Sequence, residues 1–453
     1  MVRFSLRRRW AIAAAALMLT AALPIVAFEG TAAAATHSYD PAGTDYSPRG
    51  ASATNPWLMP ALTTTKVGVA TRLFRTVSET PTDDGKNIRQ TNQYRDLGAP
   101  SGWQPITSFG PAGQINPTVE PGKASFTNFV AQGNTLHTFD TTSGAQQSVF
   151  RFQVRHRMST DGGKTWTTQW SNVDTSGTAV ARGGALHFHQ GIEVLPDGSW
   201  VMPVYTKRCI SGANCDGKVG AQYRMVIGLL VADASSAANK AVMGSSWTKP
   251  TLPFVSPDYH YSEATVIRRS DNRLLMVGRY DPDYPASGML GSLVFRLSSK
   301  PVHKASDLTG LEWSAPNVTV PGVKQRGPLT MGVSPKLSHV GNRIMLTFGR
   351  PGNTVAWNYD GTAMTWTDVK SLYPNTPTSC GTATNHPPCD ALGSSGYMGV
   401  AVTDPAGGVG YIIGDRCHVW SCEKPGRDNW PDVNWPNQRV NSMQSTWLVR
   451  FTS

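Results

Sequence analysis

Four side chains in this 453-residue sequence would form a reactive group if the fold brought them together: the carboxylate of Glu263, the phenol of Tyr397, and the guanidinium groups of Arg279 and Arg350. A phenol ionises at about pH 10 and is a poor nucleophile at neutral pH, but an adjacent carboxylate can take its proton. Guanidinium groups bind carboxylate, phosphate or sulfate in bidentate fashion. Around these four, the sequence offers His189 and His260 as acid–base groups, and Asp140, Gln190, Tyr205, Tyr261 and Arg416 as substrate contacts. Taken singly, each has a plainer explanation. A lone arginine at a strand end is more often a solvated or structural charge, and the His187–Phe188–His189 pair of histidines is more often structural than catalytic. The recurrence carries more weight, because four separate hairpins end near a cation.

Those hairpins are the elements that must position the group. Each is an apolar run, a tight turn and a second apolar run: FTNFVAQGNTLHTFD (126–140), HQGIEVLPDGSWVMPVY (189–205), SEATVIRRSDNRLLMVGRYD (262–281), VSPKLSHVGNRIMLTFGRPGN (333–353) and YMGVAVTDPAGGVGYIIGDR (397–416). β-Branched and aromatic runs around D-G, G-N or D-N are hairpin signals. The turn centres near Gly133, Gly198, Asn272, Gly341 and Gly407 are 65, 74, 69 and 66 residues apart. TKVGVATRLFRT (65–76), NIRQTNQYRD (87–96) and Trp103 supply an earlier unit, and STWLVRFT (445–452) can complete a last one and close a ring. Because the two strands of a hairpin are antiparallel, the first starts and the second ends at the same end of the sheet. The residues flanking the hairpins therefore gather around one mouth.

A second repeat runs alongside. Ser159 to Trp166 reads S-T-D-G-G-K-T-W, a turn whose aspartate can accept backbone N–H groups and whose glycines supply positive φ. Weaker echoes land on Trp103, Trp247, Trp313 and Trp366; successive tryptophans are 63, 81, 66 and 53 residues apart. Such a period means an array of similar units. With 44 Gly, 32 Pro and few helix-periodic stretches, the array is all-β. A β-helix needs shorter repeats, and a two-sheet sandwich would not give five units at this step. The expectation is a six-bladed β-propeller of four-stranded antiparallel blades over 59–453, closed so that no sheet edge stays open.

Arg3, Arg7, Arg8, Arg9, the apolar run 11–26 and the alanines 32–35 read as a secretory signal peptide over 1–35, and the polar stretch 36–58 reads as a flexible leader. Removing 1–35 lowers the formal charge from +11 to +8, and no dense Lys/Arg run or nucleic-acid motif follows. No later segment is long and apolar enough to span a membrane. The six cysteines fall in three local pairs, Cys209/Cys215, Cys380/Cys389 and Cys417/Cys422, which in an exported protein suggests three loop staples, although 15 connectivities are formally possible. The C-x₂-C spacing of a zinc site is absent. Nothing calls for a metal or organic cofactor. The expected partner is an acidic glycan or polysaccharide, and the expected state a monomer.

With these features together, the chain resembles the BNR-repeat (Asp-box) sialidase superfamily of six-bladed propellers over about 65–453, most strongly in STDGGKTW, HQGIEVLPDGSWVMPVY, SEATVIRRSDNRLLMVGRYD and SSGYMGV. The resemblance implies a tyrosine nucleophile at Tyr397, its activating glutamate at Glu263, and a three-arginine carboxylate clamp that includes Arg279 and Arg350. The sequence also departs from that pattern. Where an F/Y-R-I-P motif would supply the first clamp arginine it reads Phe126-Thr127-Asn128-Phe129, with Arg72 and Arg75 as distant substitutes. The general-acid aspartate has no match, since Asp140 falls too early and TTSGAQQS contains no acid; the late glutamate becomes Asp415 or is lost.

Three functions follow as expectations. The first is a sialidase-like exo-glycosidase releasing a terminal acidic sugar. The second is a polysaccharide lyase acting on a uronic acid, with His189, His260, Tyr261 and Tyr397 as acid–base groups. The third is a non-catalytic glycan-binding propeller, since one scaffold carries all three.

Overall fold

The computed structural model describes residues 37–46, 57–79, 89–107, 128–141, 151–174, 187–189, 191–209, 223–232, 251–254, 260–281, 292–316, 325–326, 329–330, 332–349, 353–363, 365–373, 394–416 and 445–453. The chain divides into two units, Met1–Thr36 and His37–Ser453. The first, with the expected signal peptide, lies outside the described residues. So do Trp247, five of the six cysteines and the side chain of Cys209.

The second unit opens with β1 (Ser38–Tyr46) and then forms six antiparallel sheets. Blade 1 is β2 (Trp57–Val67), β3 (Ala70–Glu79), β4 (Arg89–Asp96) and β5 (Gln104–Pro105). Blade 2 is β6 (Asn128–Gln132), β7 (Thr135–Thr141), β8 (Arg151–Ser159) and β9 (Thr167–Asp174). In blade 3 the inner strand is split into β10 (His187–Phe188) and β11 (Glu193–Val194), both paired with β12 (Trp200–Cys209), followed by β13 (Tyr223–Ala232) and β14 (Thr251–Phe254). Blade 4 is β15 (His260–Arg268), β16 (Leu274–Asp281) and β17 (Ser292–Leu297), extended by a bridge from Ser298 to Trp313. A two-stranded ribbon, β18 (Gln325–Arg326) with β19 (Leu329–Thr330), precedes blade 5, which is β20 (Val333–Val340), β21 (Arg343–Gly349), β22 (Asn353–Asn358) and β23 (Thr367–Tyr373). Blade 6 is β24 (Met398–Asp404), β25 (Val409–Arg416), β26 (Ser445–Thr452) and, as its outermost strand, β1. The fold is the expected six-bladed propeller.

The core lies between blades. Leu62 and Leu73 meet Ala401, Ile413 and Leu448 at the seam of blades 6 and 1. Phe74 and Ile106 meet Leu136 at the next seam, and the remaining four seams hold apolar clusters of the same kind. Middle strands are thus covered on both faces, which explains the near-continuous apolar run in LLMVGRYD where alternation would mark a half-exposed strand.

One correction concerns the N-terminus. Residues 36–58 are not simply a flexible leader, because Ser38–Tyr46 pairs along its whole length with β26. Averaged composition concealed two anchors. The Tyr39 hydroxyl accepts a 2.7 Å hydrogen bond from Trp357 Nε1, and the His37 ring stacks on Trp357 with centroids 4.4 Å apart. The N-terminal strand therefore covers the edge that the C-terminal strand would otherwise expose.

The S-T-D-G-G-K-T-W turn joins β8 to β9. Asp161 Oδ1 accepts Lys164 N at 3.0 Å and Thr165 N at 2.9 Å, while Trp166 packs on the Phe74 cluster. Gly133, Gly198, Gly341 and Asn272 occupy positive φ at the expected hairpin turns, and Gly68 does so between β2 and β3; in the last hairpin Gly408, rather than Gly407, takes that conformation.

A buried histidine pair lies beside the seam of blades 2 and 3. His137 Nδ1 and His156 Nε2 are 3.0 Å apart, and the His156 ring stacks on Phe139. Burial lowers the His156 pKa to about 4, below the 6.5 of the unfolded chain. This neutral histidine therefore stabilises the fold fully above pH 6.5 and progressively less as the pH falls toward 4. In His156→Phe the difference in unfolding midpoint between pH 7 and pH 4.5 should shrink by several degrees; an unchanged difference would remove His156 as a source of acid lability.

Candidate active site

The inner strand β15 is irregular where the chemistry begins. Ser262 pairs with Arg279, but the next partners are Thr265 and Val277, so Glu263 and Ala264 together face Gly278. Such a bulge re-aims a side chain. It places Glu263 at φ 45°, a left-handed conformation that costs a non-glycine residue about 1–3 kcal/mol. The strand β20 repeats the device between Val333 and Lys336, with Ser334 at φ 51°. The inner strand of blade 1 shifts at the matching place, between Leu58 and Ala61.

The two strained residues meet. Ser334 N donates to Glu263 Oε2 at 2.9 Å, and Tyr397 Oη donates to Glu263 Oε1 at 2.5 Å. Arg279 Nη1 lies 3.3 Å from the same Oε1, while its Nε lies 3.0 Å from Asp281 Oδ2. His189 Nε2 is 3.2 Å from Ser334 Oγ, and its Nδ1 is 3.2 Å from the carbonyl of Ala264. A neutral imidazole that donates to this carbonyl through Nδ1 accepts from the serine through Nε2. Blades 3, 4, 5 and the entry to blade 6 thus contribute to one buried cluster.

Its electrostatics follow from burial and contact. Burial alone would raise the Glu263 pKa, but Arg279, His189, the Tyr397 hydroxyl and Ser334 N outweigh it and bring it below the usual carboxylate value. Burial and the Glu263 charge hold the Tyr397 phenol well above 10. Tyr205, also buried beside Glu263, is raised as well. Burial lowers His189 to about 4 and raises Asp281 to about 6, Arg279 opposing the latter shift. At neutral pH the group therefore holds a neutral phenol donating to an ionised carboxylate. Arg279 (+1) with Glu263 and Asp281 (−1 each) sums to −1.

Asp415 positions the tyrosine. It accepts from Ser394 Oγ at 2.9 Å, from Ser395 N at 2.9 Å and from Ser395 Oγ, all on the segment that leads through Gly396 into Tyr397. Gly349 lies against the same segment: a Cβ there would be 1.9 Å from Gly396 Cα. Because backbone meets backbone, Gly349→Ala should displace Tyr397 and lower turnover about 10²-fold, the scale of a 1 Å misplacement. Steady-state kinetics checks this, and wild-type turnover in that variant would contradict it.

Of the residues singled out from sequence, Glu263, Arg279, Tyr397, His189 and Tyr205 come together. Tyr205 also stacks on His187, with centroids 4.7 Å apart. His260 and Tyr261 make different contacts: His260 Nδ1 accepts Met225 N–H at 3.2 Å, and Tyr261 lies against Tyr280. Arg350 and Gln190 lie outside the described residues; Asp140 and Arg416 are described as backbone positions of β7 and β25. Arg72 and Arg75 are structural. Arg72 pairs with Asp96 and donates to the carbonyl of Gly162, while Arg75 contacts Gln93 and lies over Trp103. A closer echo of F-R-I-P than Phe126–Phe129 is Trp57-Leu58-Met59-Pro60, at the start of β2, with leucine at the arginine position. Asp281 and Ser334 are the members that sequence reading left unassigned. The spacing Arg279-x-Asp281, one face of one strand, was the available signal for Asp281.

No protein-family model matches the sequence, and comparison with curated proteins finds no match. Solved structures do share the architecture. A protein of unknown function from Dyadobacter fermentans DSM 18053 superposes with a TM-score of 0.58 at 11% identity, over 92% of this chain and 99% of that one. An alpha-L-arabinanase from Penicillium chrysogenum, in complex with arabinobiose, gives 0.51 at 14% identity over 91% and 98%. The Trypanosoma rangeli sialidase, in complex with the inhibitor DANA, gives 0.47 at 12% identity over 92% and 59%. At these identities the first two establish a shared propeller fold and nothing finer.

Proposed function

We propose that the protein is a secreted carbohydrate-active enzyme: a retaining, sialidase-like exo-glycosidase that releases a terminal acidic sugar. The observation that carries this reading is the 2.5 Å hydrogen bond from Tyr397 to Glu263, beside Arg279 in the buried cluster. In the first step Tyr397 Oη bonds to the anomeric carbon as the glycosidic bond breaks, and the phenol proton passes to Glu263. In the second step the oxygen of water bonds to the anomeric carbon as the glycosyl–tyrosine bond breaks, and Glu263 returns its proton to Tyr397 Oη. Net, one water supplies hydrogen to the leaving oxygen and hydroxyl to the anomeric carbon.

Arg279 supports a second reading. Its guanidinium is already held by two carboxylates, in a group of net charge −1. Such a site also suits the positive charge that develops on an uncharged sugar at the transition state. The lyase reading has less support, because His260 faces blade 3 and both nitrogens of His189 are engaged.

Incubating the mature protein with sialosides, uronate-containing glycans and arabinan tests the proposal. Release of the acidic sugar without ultraviolet absorbance is the expected result. Arabinose alone would establish the uncharged substrate, an absorbing unsaturated product would establish the lyase, and binding without release the lectin-like role.

A further inference from the structure

The centre of the ring contains a hollow of about 220 Å³, bordered by Leu62, Val130, Ile192, Val266, Lys336 and Val402, one residue from each blade. Apart from Lys336 these are aliphatic; Thr63, Glu193, Ser338 and His339 are the other polar residues of the lining. Lys336 Nζ donates to Val400 O at 3.2 Å and to Leu62 O at 3.4 Å. Its ammonium thus joins blade 5 to blades 6 and 1, beside the seam where the ring closes. There the blades approach so closely that a Cβ on Gly399 would lie 2.2 Å from Leu62 N.

Two neutral carbonyls satisfy two of the three N–H donors and none of the charge. Among the described residues no carboxylate lies within ion-pair distance of Lys336. Glu193 borders the same hollow, but its oxygens are 3.8 Å from Arg268 Nε and 3.7 Å from His339 Nε2. The hydroxyl-bearing residues Thr63 and Ser338 also line the space. Burial lowers the Lys336 pKa only to about 8, so the group remains largely cationic at neutral pH. Lys336 is half-buried, and a partly desolvated charge with no counter-charge beside it carries a cost that a small anion would offset.

We infer that this central hollow is an anion site in which Lys336 binds a monovalent anion of a few atoms, a halide or a small carboxylate. The hollow adjoins the Tyr397–Glu263 group, since Lys336 is near enough to His189 to lower its pKa, but anion binding there does not depend on the proposed reaction. The bound ion ties blades 5, 6 and 1 together at the closure.

Two measurements on the full mature protein test this. In crystals soaked in sodium bromide, an anomalous bromide peak is expected beside Lys336 Nζ. In solution, bromide or acetate replacing a bulky sulfonate at constant ionic strength should raise the unfolding midpoint saturably, by about 2 °C. Response to bromide alone would mark the ion as a halide, and to acetate alone as a carboxylate. Lys336→Met should abolish both the peak and the rise. A soaked wild-type crystal with no peak in the hollow, together with no saturable response to acetate, overturns the inference, as does an equal rise in the variant. If the variant does not fold, the wild-type peak and the wild-type responses to bromide and acetate decide together.

Discussion

In Tyr397→Phe, turnover of the glycoside substrate is expected to fall at least about 10³-fold, with kcat and kcat/KM falling together. The change deletes one oxygen, whose hydrogen bond to the ionised Glu263 is worth about 1.5–3 kcal/mol to the fold, so the unfolding midpoint should move by only a few degrees. Activity and stability therefore separate, which a merely structural tyrosine would not allow. Glu263→Gln keeps an oxygen that can accept from the phenol but cannot receive its proton, and should be nearly as inactive. Its pH profile adds a check. Glu263 sits below the usual carboxylate value because Arg279, His189, Tyr397 and Ser334 together outweigh its burial. The acid limb of the wild-type rate should therefore not reflect an elevated glutamate. Tyr397→Phe retaining most of the wild-type rate would remove the tyrosine as nucleophile, whatever sugar is cleaved.

The sequence showed where Glu263, Arg279 and Tyr397 meet, because strand alternation and hairpin geometry alone decide which ends share a mouth. It did not show how Glu263 is aimed. That depends on a bulge, and a bulge is an added residue in an otherwise regular run, invisible to a period-two pattern. Ser334 begins a hairpin and so was placed at the same mouth, but its contact with Glu263 was hidden for the same reason. The expectation for His260 failed because strand position fixes height along the blade but not direction: its ring nitrogen faces Met225 on the neighbouring sheet. The N-terminal strand was missed because Pro41, Gly43 and the serines and threonines around them read as linker, whereas what orders the segment is the free edge of β26, some 400 residues distant in sequence. Non-local pairing of that kind leaves no local pattern. Asp415 was expected as a substitute for a glutamate supporting an arginine, yet its carboxylate receives the serine hydroxyls and amide that precede Tyr397. Its residue type and place were legible; its partners required the packing.

Arg279 is where structure and chemistry depend most on each other, and Arg279→Gln should be the most destabilising single change in the site. The guanidinium lies 3.3 Å from Glu263 and 3.0 Å from Asp281, and all three residues are buried. Removing the cation leaves two neighbouring carboxylates without a counter-charge, for which a loss of about 3–5 kcal/mol is expected at neutral pH. The pH dependence distinguishes this cause from lost packing. Without Arg279 the folded-state pKa of each carboxyl rises above its unfolded value, 4.5 for Glu263 and 3.8 for Asp281. A group with a raised folded pKa contributes stability that is present below the unfolded value and lost as the pH rises through the folded one. Asp281 already stands at about 6 with the arginine in place. The stability gap between variant and wild type should therefore narrow as the pH is lowered from 8 toward 4, measured by denaturant unfolding at each pH. Adding Glu263→Gln and Asp281→Asn to the variant should recover part of the loss at pH 8 without recovering activity. A gap that stays constant with pH would mean that Arg279 serves the fold through its bulk, and the charge argument for this site would fail.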